Sequence, residues 1–192
     1  MTRLLKVFGV LAMVTMAAGC TFKHQAVKIQ PTVDIAQSDL GKGRKMLVRV
    51  VDERPKTTLG TRGARGVGAD MTVEGDVTRI RKSSIEEGLL KQGFVLTQDT
   101  LEERQLRVEL RNLDYDVIVG FWAGTLKVDT TLKGVCQHGS TRPYEGMHRG
   151  QFTESVQVVQ GAAANNDYVS DSVSKAMNSL LADQELMRCL SS

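Results

Sequence analysis

Two long alternating runs, Gln105 to Val119 and Thr125 to Cys136, constrain this chain more than anything else in it. Each keeps an apolar residue at nearly every second position, the signature of a strand with one buried face. The segment Gly120-Phe121-Trp122-Ala123-Gly124 lies between them, so the pair reads as a long β-hairpin. Within the first run the apolar set passes from Leu106, Val108 and Leu110 to Leu113, Tyr115 and Val117. Side chains change face with every residue, so this change of parity demands a β-bulge near Arg111 and Asn112. The second run carries Leu126, Val128, Thr130 and Leu132. After a turn at Gln137 to Ser140, the residues Tyr144, Phe152, Val156 and Val158 mark a third strand whose glycines and charges suit a sheet edge.

Elsewhere the period changes. Ala26 to Val33 and Lys45 to Glu53 alternate as strands, the second of them central. From Asp76, the residues Val77, Ile80, Ser84 and Gly88 fall near one helical face, flanked by Ile85 and Leu89, and the helix ends at Gly93. Phe94 to Leu96 restarts as a short strand. Asn165, Asn166 and Asp167 offer N-caps for a final helix carrying Val169, Val173, Ala176, Met177, Leu180, Leu181 and Met187. This order predicts an α+β fold: two layers, a mixed or mostly antiparallel sheet, and two helices packed on one face. Between Arg54 and Asp70, Pro55 and the glycines Gly60, Gly63, Gly66 and Gly68 accompany Arg54, Lys56, Arg62 and Arg65, which reads as a mobile basic loop.

The start of the chain speaks to location. Behind Arg3 and Lys6, residues 7 to 18 are almost wholly apolar yet too short to span a bilayer comfortably, as in a secretory signal peptide. The ending Ala17-Ala18-Gly19-Cys20 resembles the lipobox of bacterial lipoproteins, with Ala17 where Leu is most usual. That resemblance implies cleavage before Cys20 and attachment of diacylglycerol and an N-acyl chain to it. The absence of Asp at Thr21 implies the periplasmic face of the outer membrane in a Gram-negative bacterium. The alternatives are an ordinary signal peptide cut near Gly19, or an uncleaved anchor. Two or three acyl chains, at about 0.8 kcal/mol per buried methylene, make attachment effectively permanent. The organisation expected is a leader over 1–19, a lipidated cysteine and tether over 20–25, and a single periplasmic domain over 26–192. Thr21 to Gln25 span less than roughly 20 Å, which holds the domain close to the headgroups.

Loss of Arg3 and Lys6 leaves basic and acidic residues almost balanced, so the slight excess of 25 Lys and Arg over 22 Asp and Glu does not point to nucleic acid. With Cys20 set aside for lipid, Cys136 and Cys189 remain as a pair for a disulfide in an oxidising compartment; two buried free thiols are the alternative. His24, His138 and His148 lack the spacing that puts two ligands on one helix face, so no metal is expected. Neither a nucleophile motif nor a phosphate-loop pattern is present, and no cofactor is expected beyond the lipid on Cys20. Phe121 and Trp122 at the hairpin tip either fold onto the core or anchor a partner.

The run Val50-Val51-Asp52-Glu53-Arg54-Pro55, continuing to Leu59-Gly60, together with the lipobox, the central hairpin and the Asn-rich start of the last helix, resembles the YajG-type lipoprotein family. The likeness covers nearly the whole mature chain. It implies that Asp52, Arg54, Leu59 and Gly60 are motif residues without an assigned role, in an exported lipid-anchored domain without an assigned activity. The expected function is therefore a non-enzymatic accessory or assembly factor that binds an envelope protein or polymer, with Arg62, Arg65, Phe121 and Trp122 as candidate contacts. A different class remains open: an envelope enzyme acting on peptidoglycan or lipid, with Asp52 as carboxylate and Arg54 as anion clamp, provided the two line a concave pocket and do not pair with each other. A third is a structural protein that oligomerises through an exposed strand edge.

Overall fold

The computed structural model describes residues 23–63, 68–119, 123–157 and 160–192. Cys20, Arg65, Phe121 and Trp122 lie outside these residues. In chain order the elements are β1 (Gln25–Val27), β2 (Lys45–Asp52), β3 (Gly60–Thr61), β4 (Asp70–Val73), α1 (Val77–Lys91), β5 (Val95–Thr97), β6 (Arg104–Val119), β7 (Gly124–His138), β8 (Thr141–Val156), α2 (Ala162–Leu181) and α3 (Gln184–Ser191).

β6, β7 and β8 form the antiparallel meander that the alternation predicts, and β8 pairs only with β7 among the described residues. The β6–β7 register shifts between Leu110 and Asn112. That bulge leaves Leu106, Val108 and Leu110 before it, and Leu113 and Tyr115 after it, buried in one core. β7 occupies one edge of β6 along its whole length. The other edge is shared: β2 lies parallel to residues 105–110 with β5 parallel beyond it, and β3 meets Tyr115, followed by β4 and β1. The sheet is mixed, and three helices pack against it, α1 over β2 and β5, α2 over β7 and β8, and α3 against the ends of β6 to β8.

Three expectations need correction. The final helix is two helices, because Asp183 leaves the helical path and caps α3 by accepting the Leu186 amide at 2.9 Å. Asn165 and Asn166 do not cap α2, which begins after Gly161; they lie inside it and use their side chains laterally. The expected strand Ala26 to Val33 stays in the sheet only to Val27. Beyond that it becomes a strap along α2, in which the amides of Lys28, Gln30, Thr32 and Asp34 donate to Asn166 Oδ1, Ser170 Oγ, Ser174 Oγ and Asn178 Oδ1 at 2.9 to 3.0 Å. Extended chain rises about 6.6 Å in two residues and a helix about 6 Å in four, so the two ladders keep step. Ile29 and Val33, on the alternate positions, pack into the core. α1 follows its sequence signals: Asp76 accepts from the amides of Thr78 and Arg79, and Gly93, at φ +82°, follows the last turn. Cys136 of β7 and Cys189 of α3 are joined in a disulfide with Cα atoms 6.4 Å apart.

Candidate functional site

β2 ends at Asp52, and the chain rejoins the same edge of β6 further along as β3. Arg54 folds over the strand end and grips the Asp52 carboxylate with both prongs, Nε to Oδ1 at 2.8 Å and Nη2 to Oδ2 at 2.7 Å, while its own amide donates to Oδ1 at 3.3 Å. The guanidinium hydrogen bonds hold the Asp52 carboxyl below its usual range. The Arg54 side chain is only 5% exposed and that of Asp52 25%. The pair forms part of the wall of an open cavity of about 430 Å³, bounded also by the end of β4 at Thr72 and Val73 and the start of α1 at Asp76 and Thr78.

Arg81 of α1, one turn on from Val77 in the wall of this cavity, is fully buried. None of its three guanidinium nitrogens has a hydrogen-bond partner among the described residues. Burial pushes its pKa down to about 9; the Arg54 charge pushes the same way and Asp52 opposes. Sequence reading missed Arg81 by taking Ile80 and Ser84 as the inner face of α1. The four-residue spacing Val77, Arg81, Ile85 was the available signal, and these residues are buried.

The motif glycine and leucine have structural work. Leu59 is buried, donating its amide to Met71 O and accepting from the Tyr115 amide, both at 2.8 Å. Gly60 has φ +154°, and a Cβ there would lie 2.0 Å from the Tyr115 carbonyl oxygen, so only glycine lets β3 approach β6. The expected mobile basic loop is corrected at its described basic residues, because each is fastened. Lys56 pairs with Asp114 at 2.6 Å, and Arg62 donates to the carbonyls of Lys23 at 3.4 Å and Gln160 at 3.1 Å.

Two polar clusters stand apart. Tyr115 donates to Asn165 Oδ1 at 2.9 Å and Asn165 Nδ2 to Gln25 Oε1 at 2.9 Å, a relay tying β6 to α2 and β1; burial raises the tyrosine pKa. Tyr144 donates to Asp183 Oδ2 at 2.5 Å, a bond that helps push the phenol up to about 12, and the buried His148 lies 3.8 Å from the same oxygen. Burial lowers the His148 pKa, so its imidazole is predominantly neutral near pH 7. His24 pairs with the Thr72 hydroxyl at 3.1 Å. Cys136, His138 and Cys189 bring three donor atoms within 4.8 Å of one another, with both sulfurs engaged in the disulfide.

The domain is a mixed sheet overlaid by three helices, and no helix among the described residues is long and apolar enough to cross a membrane. The particular family follows from the sequence match: residues 31–191 fit the family described as "Uncharacterized lipoprotein", and the chain belongs to it. This agrees with the YajG-type resemblance. Two solved structures share the fold. A Xanthomonas campestris protein of the DUF330 family is similar at TM-score 0.50 and 12% identity, covering 83% of this chain and 92% of that one. A Helicobacter pylori protein described as a neuraminyllactose-binding hemagglutinin homolog is similar at TM-score 0.51 and 8% identity, covering 84% and 97%. A minor lipoprotein from Acinetobacter baumannii is similar at TM-score 0.45 and 9% identity, covering 77% and 90%. No curated protein matches the chain.

Proposed function

We propose that this protein is a non-enzymatic lipoprotein of the Gram-negative envelope, held at the periplasmic face of the outer membrane by lipid on Cys20, whose domain binds an envelope protein or polymer through the cleft at Asp52 and Arg54. The observation that carries the reading is the bidentate pair itself. Asp52 spends both oxygens on Arg54, so its carboxylate is engaged and not poised as a general base, whereas a paired, half-buried charge cluster at a cleft suits recognition. Family membership and the signal-like leader support the anchoring, and the short tether supports a working position close to the membrane. Phe121 and Trp122 are the second proposed contact.

The anchoring is tested by metabolic labelling with palmitate followed by separation of inner and outer membranes. Labelled protein in the outer-membrane fraction, with label lost in Cys20→Ser, is the expected result. Label retained in Cys20→Ser, or protein confined to the inner membrane, overturns the assignment. Binding is tested by a photo-crosslinking residue at Trp122 in intact cells: a single recurrent adduct supports an accessory role for the hairpin tip, and its absence removes that contact from the proposal.

A further inference from the structure

We infer that the cleft at Asp52 and Arg54 binds an oxyanion, a carboxylate or phosphate presenting two oxygens to the Arg54 fork, and that Arg81 is the buried cation that leaves the site short of one negative charge. The inference rests on the reading of this cleft as a binding site and names the chemistry of what it takes.

The cluster holds two guanidiniums against one carboxylate. A fully buried cation with no hydrogen-bond acceptor is among the costliest arrangements a core can hold, and Arg81 is in that position. Asp52 is the carboxylate whose charge favours ionised Arg81, and it is committed to Arg54. The remaining acid at the cleft, Asp76, caps α1: it accepts from the Thr78 hydroxyl at 2.6 Å and from the amides of Thr78 and Arg79 at 2.9 and 3.2 Å. An oxyanion entering the cavity takes over the planar fork of Arg54, which already holds a carboxylate in bidentate geometry, and the released Asp52 turns its charge to Arg81. One external anion then satisfies both arginines. No bond is made or broken, and the exchange is one ion pair for two.

The test measures thermal unfolding of the full lipidated chain in detergent, with sodium acetate and inorganic phosphate as separate probes against chloride at constant ionic strength. The native protein is expected to gain a few degrees in Tm with at least one oxyanion. Arg81→Met, which removes the buried charge and keeps an apolar stem, is expected to raise Tm in chloride and to abolish the oxyanion increment. Arg54→Lys keeps the charge without the fork and is expected to retain only part of it. A larger acetate increment assigns a carboxylate-bearing ligand, and a larger phosphate increment a phosphate. An increment equal in native protein and Arg81→Met, no increment with either probe, or a Tm lowered in chloride by Arg81→Met overturns the inference. Failure here leaves the binding role itself to be judged separately by crosslinking at the cleft rim.

Discussion

The β6–β7–β8 meander and the corner built from β1, β3 and β4 share one sheet but are specified in opposite ways. The meander strands are 16, 15 and 16 residues long, and each pairs with its neighbour in sequence. The corner strands have 3, 2 and 4 residues, and they pair across wide separations, Gln25 with Met71 and Gly60 with Tyr115. A long alternating strand fixes its own register, since a slip of one residue would turn its whole apolar set to solvent. A two-residue strand has no such pattern. The corner is held instead by single features: buried Leu59, the glycine at 60, the anchoring of Arg62, and the Tyr115–Asn165–Gln25 relay.

Breaking the disulfide is expected to have the largest effect and to act on the meander side. Cys136 and Cys189 are separated by 53 positions in sequence, a loop for which chain entropy gives about 4 kcal/mol of stabilisation. Denaturant titration of Cys136→Ser/Cys189→Ser should show a loss approaching that value, and an unchanged midpoint would mean the bond constrains nothing. Gly60→Ala comes next, at about 3 kcal/mol, from the left-handed φ and the approach of Cβ to the Tyr115 carbonyl. Hydrogen exchange sharpens the comparison: amides of Gln25–Val27 and Asp70–Val73 should lose protection in this variant while those of β6 to β8 keep theirs. Uniform loss across the sheet would deny that the two regions are separately held.

Smaller effects follow in the strap and the helix junction. Ser170→Ala and Ser174→Ala each leave a strap amide without its acceptor and are expected to cost about 1 kcal/mol apiece by chemical denaturation. The pH response is the gentlest. His148 has its folded pKa lowered by burial, so the unfolded chain takes up the proton first, and stability should begin to fall as pH drops through the ordinary value of 6.5. Asp52 and Asp183 have folded pKa values below the ordinary 3.8, so their stabilisation is fully present above that value and is lost as pH falls from it through the lower folded values. Unfolding midpoints across this range should lose the upper limb in His148→Gln and keep the lower one.

The same contrast explains what was legible in the sequence. The hairpin, the bulge at Leu110 to Asn112, the third strand and the limits of α1 all follow from local periodicity and capping. β3 and β4 were hidden inside a glycine-rich stretch because their pairing depends on partners far along the chain. The strap reads as a longer strand in sequence because alternation of Val27, Ile29 and Val33 reports one buried face, whether the amides answer a neighbouring strand or a helix. At the site, Asp52 and Arg54 were singled out by resemblance, but their mutual pairing is a matter of a turn that spacing does not encode. Arg81 is not legible as a core residue because a charged side chain on a helix reads as solvent-facing.

The most direct measurement places a photo-crosslinking residue at Thr57, on the rim of the cleft, in the full lipidated protein in intact cells, and repeats it in Arg54→Gln. A recurrent adduct to one envelope protein or polymer, lost when Arg54 is neutralised, is the expected result. An adduct pattern unchanged by Arg54→Gln, or lipid as the sole product, would contradict it.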